Sequence, residues 1–358
     1  MPMPQPEVRY CSTADGVRLA VARYGQGIPV VRAGTWLTHI EFNATDPLGQ
    51  AWVQAFSGVG SYIFYDSRGC GLSQRDVGDI SLDAWVRDLE TVVDSLGLDR
   101  FVVYGQSTGA ATAIRYAVRH PQRVDRLILH GGYARHPYCT TDTARRAEAE
   151  TLVKVAEVGW GLATPTFRQL FVGRFMPDST PAQQAAIGER QRLSMSPQMA
   201  AAYLRAMFEI DVRAEAPRVT CPVLVTQAKD DLSVPCAQAS ELAGLLPDGR
   251  LVILEGRNHI PHPGEPAWAP LLAHWHGFLR ESGLASTTGV AGAPHLTVRQ
   301  IEVLRLIAAG RSDKAVAREL GLSPRTVEMH VAAAMKALGC HTRTEAVVRA
   351  VAVGMLRP

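Results

Sequence analysis

The sequence predicts an α/β fold with a mostly parallel sheet, followed by a small all-α domain of four helices. Seven short apolar runs alternate with helical patterns, a helical stretch interrupts the alternation, and a Gly-rich segment precedes the last four helices. A chain of 358 residues is long enough to bury two separate cores. We therefore expect one domain at 1–282 and a second at 296–358.

The predicted strands are compact apolar runs bounded by Gly, Asp or Pro. They are "VRLAVARYG", "IPVVRAG", "GSYIFYDSRG", "RFVVYG", "RLILHGG", "PVLVTQAKDD" and "RLVILEGRNH". Several are continuously apolar, which indicates strands buried on both faces of the sheet. Helical patterns such as "LDAWVRDLETVVDSLG" separate them, so the sequence favours parallel strands joined by crossover helices.

The alternation stops between about 134 and 218. Three helical patterns follow one another there without a strand: "RRAEAETLVKVAEVGWG", "TFRQLFVGRFM" and "PQMAAAYLRAMFEIDV". The simplest explanation is a helical insertion that covers one end of the sheet as a lid.

The segment "LASTTGVAGAPH" is small, Gly-rich and uncharged, and it predicts a flexible linker at about 283–295. From residue 290 onward ten Lys and Arg stand against five Asp and Glu, a net charge of +5, whereas the whole chain carries +3. The part before residue 290 therefore carries −2. Positive charge gathered on a small domain suits binding to a polyanion.

The six cysteines form no CxxC pair, which predicts reduced thiols and no zinc site. The sequence contains neither an export signal nor an apolar window of the roughly 18 residues that a membrane span needs. We expect a cytoplasmic protein that does not contact a membrane and that requires no metal or cofactor.

The motif Gly105-Gln106-Ser107-Thr108-Gly109 follows the strand "FVVY" and precedes the helical pattern "AATAIRYAVRHP". This is the setting of a G-x-S-x-G turn, whose glycines permit a sharp bend that exposes the serine hydroxyl at a helix N-terminus. The sequence therefore predicts Ser107 as a nucleophile.

A nucleophilic serine needs a base and an acid that orients the base. "LEGRNHIPHPGEP" offers His259 and His262 in a loop after a strand, and "VLVTQAKDDLSVP" ends another strand in Asp230 and Asp231. Only one of two adjacent carboxylates can face the imidazole, and we favour Asp231, which lies in a D-x-x-V-P pattern. The chain order of serine, acid and histidine is that of the α/β-hydrolases.

Residues from about 8 to 282 resemble the α/β-hydrolase fold proteins. The resemblance rests on this order and on "YDSRGCGLS" at 65–73, which matches the family's D-x-R-G-x-G-x-S turn; we interpret that turn as structural. The resemblance favours His259 as the base, and so implies a triad of Ser107, Asp231 and His259.

An oxyanion needs two backbone N–H groups. Thr108 is expected to supply one, and Thr35 or Trp36, in the loop after "IPVVRAG", the other. "WLTHIEF" at 36–42 resembles a subgroup that serves as the sensory or effector half of bacterial regulators. This resemblance implies that Trp36 and His39 line the ligand pocket, although a packing role for both is equally open.

The C-terminal part predicts a helix-turn-helix, because "SDKAVARELG" and "SPRTVEMHVAAAMKALG" are joined by a tight turn. Ser323 is the expected N-cap of the second helix and Pro324 its first residue. The pattern "LT.R..EVL.L.A.G.S.K..A..L..S..TV..H...A..ALG....TEA" is similar to the LuxR-type (GerE-like) domain over nearly that domain's full length.

This resemblance implies that the helix from Pro324 to Leu338 enters the major groove of double-stranded DNA. The expected DNA-contacting residues are Lys314, Ser323, Arg325, Thr326, Glu328, His330 and Arg343. Glu328 departs from the family's usual Lys and can accept a hydrogen bond from cytosine N4. The fourth helix, "AVVRAVAVGML", resembles the family's dimerisation surface, so a homodimer is expected.

Two functions remain. The first is a transcriptional regulator whose hydrolase-like domain senses, and retains the groups to cleave, a small ester, lactone or acyl ligand. The second is a serine hydrolase whose helix-turn-helix tail only regulates or localises it. A third, a regulator with a vestigial pocket, conflicts with the complete triad. We favour the first, because a DNA-binding module has little use in a metabolic enzyme.

Overall fold

The computed structural model describes residues 6–162, 164, 166–282, 284, 298–308, 310–338, 340 and 342–352. The chain divides into two compact units, 1–288 and 289–358, which are described separately. The predicted linker at 283–295 lies outside the described residues, apart from Leu284. No helix among the described residues is both long and apolar enough to cross a membrane.

The first unit is built on a sheet of eight described strands. They are β1 (Val8–Ser12), β2 (Arg18–Tyr24), β3 (Pro29–Arg32), β4 (Ser61–Tyr65), β5 (Phe101–Gln106), β6 (Val124–His130), β7 (Val223–Ala228) and β8 (Gly249–Leu254). Their order is β1-β2-β4-β3-β5-β6-β7-β8. β2 pairs antiparallel with β1 and β4, and every other pairing is parallel. The prediction of a mostly parallel sheet is confirmed.

Ten described α-helices belong to this unit, besides a short 3₁₀ helix at Ala216–Arg218. They are α1 (Ile40–Thr45), α2 (Pro47–Ser57), α3 (Leu82–Ser95), α4 (Gly109–Arg119), α5 (Thr143–Gly159), α6 (Thr166–Phe175), α7 (Pro181–Ser194), α8 (Pro197–Phe208), α9 (Cys236–Leu245) and α10 (Trp268–Arg280). One core contains buried side chains of α3, α4 and α9, and another contains those of α2 and α10. Because β4 to β7 are buried throughout, helices cover both faces of the sheet.

The insertion between β6 and β7 contains the four helices α5 to α8. The sequence patterns predicted α5, α6 and α8, but not α7. Ala156 and Trp160 belong to the same core as Ala200 and Leu204, so the end of α5 packs with α8. The same core continues into the sheet.

The second unit contains α11 (Val298–Ala308), α12 (Asp313–Leu320), α13 (Pro324–Leu338) and α14 (Arg343–Ala352). Val303, Val316, Val327 and Val331 form one core, joining α11, α12 and α13. Gly321 ends α12 with a φ of +63°, a left-handed conformation that glycine adopts at little cost. The turn between α12 and α13 is therefore as tight as predicted.

Candidate active site and DNA-binding surface

Ser107 lies at the turn between β5 and α4. Its φ is +52°, in the left-handed region that non-glycine residues seldom adopt, and its N–H donates to the carbonyl of His130 over 2.9 Å. A Cβ on Gly105 would lie 2.7 Å from the carbonyl oxygen of Gly109, and one on Gly109 would lie 3.1 Å from that of Ala33. The glycines of the motif therefore allow the backbone to bend at Ser107.

Asp231 and His259 form a buried pair at the ends of β7 and β8. His259 Nδ1 and Asp231 Oδ2 are 2.7 Å apart, and the N–H groups of Ser233 and Val234 donate to Asp231 Oδ1. Burial alone would raise the pKa of Asp231, but the charge and hydrogen bond of His259 and these N–H groups hold it below its usual value. Asp231 is thus an ionised acceptor that orients the ring.

The alternative residues lie elsewhere. Asp230 is exposed, and the two ring nitrogens of His262 contact Pro263 O and Glu265 Oε1 at 2.9 and 3.0 Å. Of the candidate pairs of one aspartate and one histidine, the structure places Asp231 and His259 within hydrogen-bond distance.

Ser107 and His259 line the same cavity. His259 Nε2 is buried and has no hydrogen-bond partner among the described residues, so Ser107 and His259 are not hydrogen-bonded in this structure. Hydrogen bonds of catalytic groups often tighten only when a substrate is bound. The unpartnered Nε2 is the atom that could accept a proton from the serine.

The predicted oxyanion donors are Thr108, which follows Ser107 in the chain, and Thr35 or Trp36 in the loop after β3. Within the described chain, the main-chain N–H groups of Thr35, Trp36 and Thr108 donate to no protein acceptor. The Thr35 carbonyl accepts from Ser67 Oγ at 2.7 Å, which fixes the loop that carries Thr35 and Trp36. Both Thr35 and Trp36 also line the cavity.

The cavity is small and largely apolar. Its volume is about 90 Å³. Trp36 forms part of its wall. The centroid of the Trp36 ring lies 5.5, 6.0 and 5.8 Å from the ring centroids of Trp160, Phe171 and Phe175. His39 is buried but is not among the residues that line the cavity, and its ring packs edge-on against Phe42.

Besides Thr35, Ser107 and His259, five polar residues line the cavity that were not predicted to do so: Arg32, Asn43, Gln106, Arg190 and Gln191. Arg32 ends β3, and Arg190 lies on α7 of the insertion. The sequence did contain a signal for Arg32. It ends a predicted parallel strand, and ligands bind at the carboxyl ends of the strands in such sheets. No comparable signal marks Arg190, because α7 itself was not predicted.

No metal centre is apparent in the described part of the chain, where no three His, Cys, Asp or Glu side chains are arranged to hold an ion.

The second unit presents the predicted DNA-contacting residues mainly on its surface. Lys314, Arg325, Glu328 and Arg343 are exposed, as is Ser323, whose hydroxyl accepts the N–H of Thr326 at 3.1 Å. Thr326 and His330 are half-buried.

Two further features of this surface were not predicted. Met329 on α13 is 64% exposed, and an apolar side chain can contact the thymine methyl group in the major groove. Arg343 forms a two-pronged ion pair with Asp313, at 3.0 and 3.2 Å. This pair competes with its predicted phosphate contact.

The sheet order, the Ser107 turn and the Asp231–His259 pair define a serine-hydrolase-like fold. Comparison with family models agrees: the family described as "alpha/beta hydrolase fold" matches residues 60–266, and "Bacterial regulatory proteins, luxR family" matches residues 294–350. The chain belongs to the α/β-hydrolase fold family and carries a C-terminal LuxR-family helix-turn-helix domain.

Among curated relatives, "Putative carbamate hydrolase RutD" of Caulobacter sp. (strain K31) is 28% identical over 201 residues, which are 55% of this chain and 73% of that protein. The protein of the same name from Escherichia coli O150:H5 (strain SE15) is 27% identical over 207 residues, 57% of this chain and 76% of that protein.

Solved structures share the fold. An esterase from Thermogutta terrifontis has a TM-score of 0.63 and 24% identity, covering 77% of this chain and 98% of the esterase. The enol-lactonase from Burkholderia xenovorans LB400 has a TM-score of 0.63 and 22% identity, covering 76% of this chain and all of the lactonase. The chain therefore joins a hydrolase-like domain to a DNA-binding domain of transcriptional regulators.

Proposed function

We propose that this DNA-binding regulator senses a small ester, lactone or acyl compound in the cavity beside Ser107, and that the Ser107–His259–Asp231 site can cleave it. The observation that carries the proposal is the buried Asp231–His259 pair, with Nε2 unpartnered in the cavity that Ser107 lines. A packing role alone would not explain a polar pair held in this way beside a strained serine.

The mechanism is acyl transfer. Ser107 Oγ attacks the acyl carbonyl, and His259 Nε2 takes the hydroxyl proton and then delivers it to the leaving oxygen. Asp231 holds the ring and stabilises its charged form. The N–H groups of Thr108 and of Thr35 or Trp36 receive the developing oxyanion, and a water repeats the steps to release the acid.

The size of the cavity supports a compact ligand. Relatives named as hydrolases of carbamates, esters and enol-lactones carry the same fold, and all of these substrates react at an acyl carbon. A ligand bound beside α6 and α7 can be held with or without being cleaved, because binding of the substrate and binding of the transition state are separate properties of a site.

The DNA-binding side of the proposal assigns α13 to the major groove, with Arg325, Thr326, Glu328 and His330 as candidate base or backbone contacts and Lys314, Ser323 and Arg343 as phosphate contacts. A homodimer formed through α14 fits a pseudo-palindromic site.

The corresponding domain organisation is a hydrolase-like domain at 1–282 with its lid at about 134–218, a linker at 283–295, and the DNA-binding domain at 296–358.

The second candidate is an enzyme whose tail regulates or localises it. The candidate catalytic groups that line the cavity favour this candidate as much as the first. The two differ in one respect: only a sensor changes its affinity for DNA when the cavity is filled.

Ester hydrolysis tests the site. We expect purified full-length protein to hydrolyse 4-nitrophenyl acetate, and Ser107→Ala to lower kcat by a factor of about 10³ or more, because it removes the nucleophile. Ser240→Ala, an exposed serine on α9, is the matched control and should retain the activity. Equal turnover by the wild type and both variants would show that Ser107 is not the nucleophile.

A further inference from the structure

We propose that the cavity beside Ser107 takes a ligand that carries a carboxylate, and that Arg32 and Arg190 bind this group. The inference deepens the proposed function and rests on it, because it names the substrate class of the same cavity: a small ester or lactone with an acid group a few bonds from the reacting carbonyl.

Both arginines reach the cavity from different elements. Arg32 is the last residue of β3, and Arg190 lies near the end of α7 in the insertion. Arg32 donates to Gln106 Oε1 over 2.8 Å, and Gln106 immediately precedes Ser107. This contact places the cationic part of the wall beside the nucleophile.

Neither guanidinium is neutralised by the described residues. Arg190 donates to Asn43 Oδ1 at 2.9 Å and Arg32 donates to Gln106. Their guanidinium groups also lie over the rings of Phe42 and Phe64, so these described partners are all uncharged. The Nε atoms of both arginines are buried and unpartnered within the described chain. A buried cation without a counter-ion is costly, and the missing partner is therefore an anion.

The two nearby carboxyl groups accept hydrogen bonds from the backbone and not from the arginines. Asp46 accepts the N–H of Gly49 at the start of α2, and Asp66 accepts the N–H groups of Ile40 and Leu72 at 3.2 and 2.8 Å. Burial raises the pKa of Asp66 to about 7, so it is only partly ionised at neutral pH. The charges of both groups raise the pKa of Arg190, but within the described chain neither forms an ion pair with Arg32 or Arg190.

The two cations also affect one another. Burial lowers the pKa of Arg190, and the positive charge of Arg32 is the next cause. An anion bound between them relieves this repulsion, and the planar fork of arginine matches a carboxylate. A single carboxylate fits a small, largely apolar cavity better than the larger and more highly charged phosphate group.

Two activated esters of similar size test the proposal: 4-nitrophenyl hemisuccinate ends in a carboxylate, whereas 4-nitrophenyl butyrate ends in a methyl group. We expect the wild type to prefer the hemisuccinate at least tenfold in kcat/KM. Arg190→Gln and Arg32→Gln should abolish the preference by raising KM for the hemisuccinate, with little change for the butyrate. Arg190→Lys should retain part of it.

The matched control is Arg192→Gln, an exposed arginine on the same helix, which is paired with Glu189 and should leave both rates unchanged. Tryptophan fluorescence on heating confirms that each variant is folded. If the hemisuccinate preference survives in both Arg190→Gln and Arg32→Gln, the proposal is overturned.

A binding measurement separates this proposal from the proposed cleavage. Calorimetry on Ser107→Ala, which cannot turn over an ester through Ser107, should detect succinate, and the binding should disappear when Arg190→Gln is added. If neither ester is hydrolysed but succinate still binds and Arg190→Gln abolishes the binding, the carboxylate site is supported and the proposed cleavage is contradicted. Absence of succinate binding, or tighter binding of inorganic phosphate, would overturn the carboxylate assignment.

Discussion

The position of the His259 ring depends on the residue opposite it, Gly131. A Cβ at position 131 would lie 2.6 Å from His259 Cε1 and 2.9 Å from Nδ1, and the backbone there has a φ of +59°. Glycine is therefore required both by the backbone conformation and by the close approach of the imidazole.

We expect Gly131→Ala to lower kcat for an activated ester about 100-fold, because a displacement of about 1 Å in a catalytic group has this order of effect. The measurement is steady-state kinetics beside Gly244→Ala, a glycine of α9 whose added Cβ meets no atom within 4 Å. Unchanged kcat in folded Gly131→Ala would show that the observed position of the imidazole is not needed for turnover.

Asp66 gives a pH-dependent prediction. Burial raises its pKa to about 7, whereas an aspartate in an unfolded chain has a pKa of about 3.9. Between these values the folded protein holds a proton that the unfolded chain has released, so the contribution of Asp66 to stability falls as the pH rises and is lost above about 7.

Asp66→Asn removes this titration. Relative to wild type, its free energy of unfolding should rise by up to about 1.4 kcal/mol per pH unit between about pH 4 and 7 and then level off. Urea unfolding followed by tryptophan fluorescence reports on the first unit alone, since all six tryptophans lie between positions 36 and 275. Parallel pH profiles for the two proteins would contradict the assignment.

At the scale of elements, apolar patterning predicted β2 to β8 but not β1. Val8–Ser12 contains no continuous apolar run, pairs only with β2, and leaves Tyr10 52% exposed. An edge strand of this kind is stabilised by its hydrogen bonds to a neighbour and not by two buried faces. Its existence therefore depends on tertiary pairing that a local pattern does not reveal.

The helix α7 was also missed, although its start carries a sequence signal. Thr180 and Gln183 form a capping box, with Pro181 at the first turn, a known signature of a helix N-terminus. The body of α7 has weak apolar periodicity, because the helix is polar on most sides. The candidate nucleophile, base and acid could be chosen from motifs, whereas Arg190 could be placed at the cavity only from the position of α7 in three dimensions.

The prediction about DNA binding concerns the helix α13. Arg325 is exposed in its first turn, and we expect Arg325→Ala to weaken binding to a selected duplex at least tenfold and to reduce the salt slope by about one. Arg305→Ala, an exposed arginine on α11, serves as the control. Fluorescence anisotropy at several salt concentrations gives both quantities, and an unaltered affinity and slope would exclude Arg325 from the interface.

At the scale of the whole molecule, the charge is divided between the two parts. The region from residue 290 carries +5 and the rest carries −2, so attraction to DNA is concentrated where the LuxR-family domain lies. The sensor proposal adds that filling the cavity alters this attraction. Thermodynamic linkage then requires that DNA also alters the affinity of the cavity for its ligand.

The most direct test is to fill the cavity covalently and measure DNA affinity. A small dialkyl fluorophosphate transfers its phosphoryl group to Ser107 Oγ with loss of fluoride, and mass spectrometry verifies the labelling. We predict that the Kd of the labelled full-length protein for a duplex selected from a random pool changes at least fivefold, the lower range of typical allosteric coupling. Ser107→Ala treated in the same way should keep its Kd. A fully labelled protein with an unchanged Kd would contradict the sensor account and support the enzyme with a DNA-binding tail.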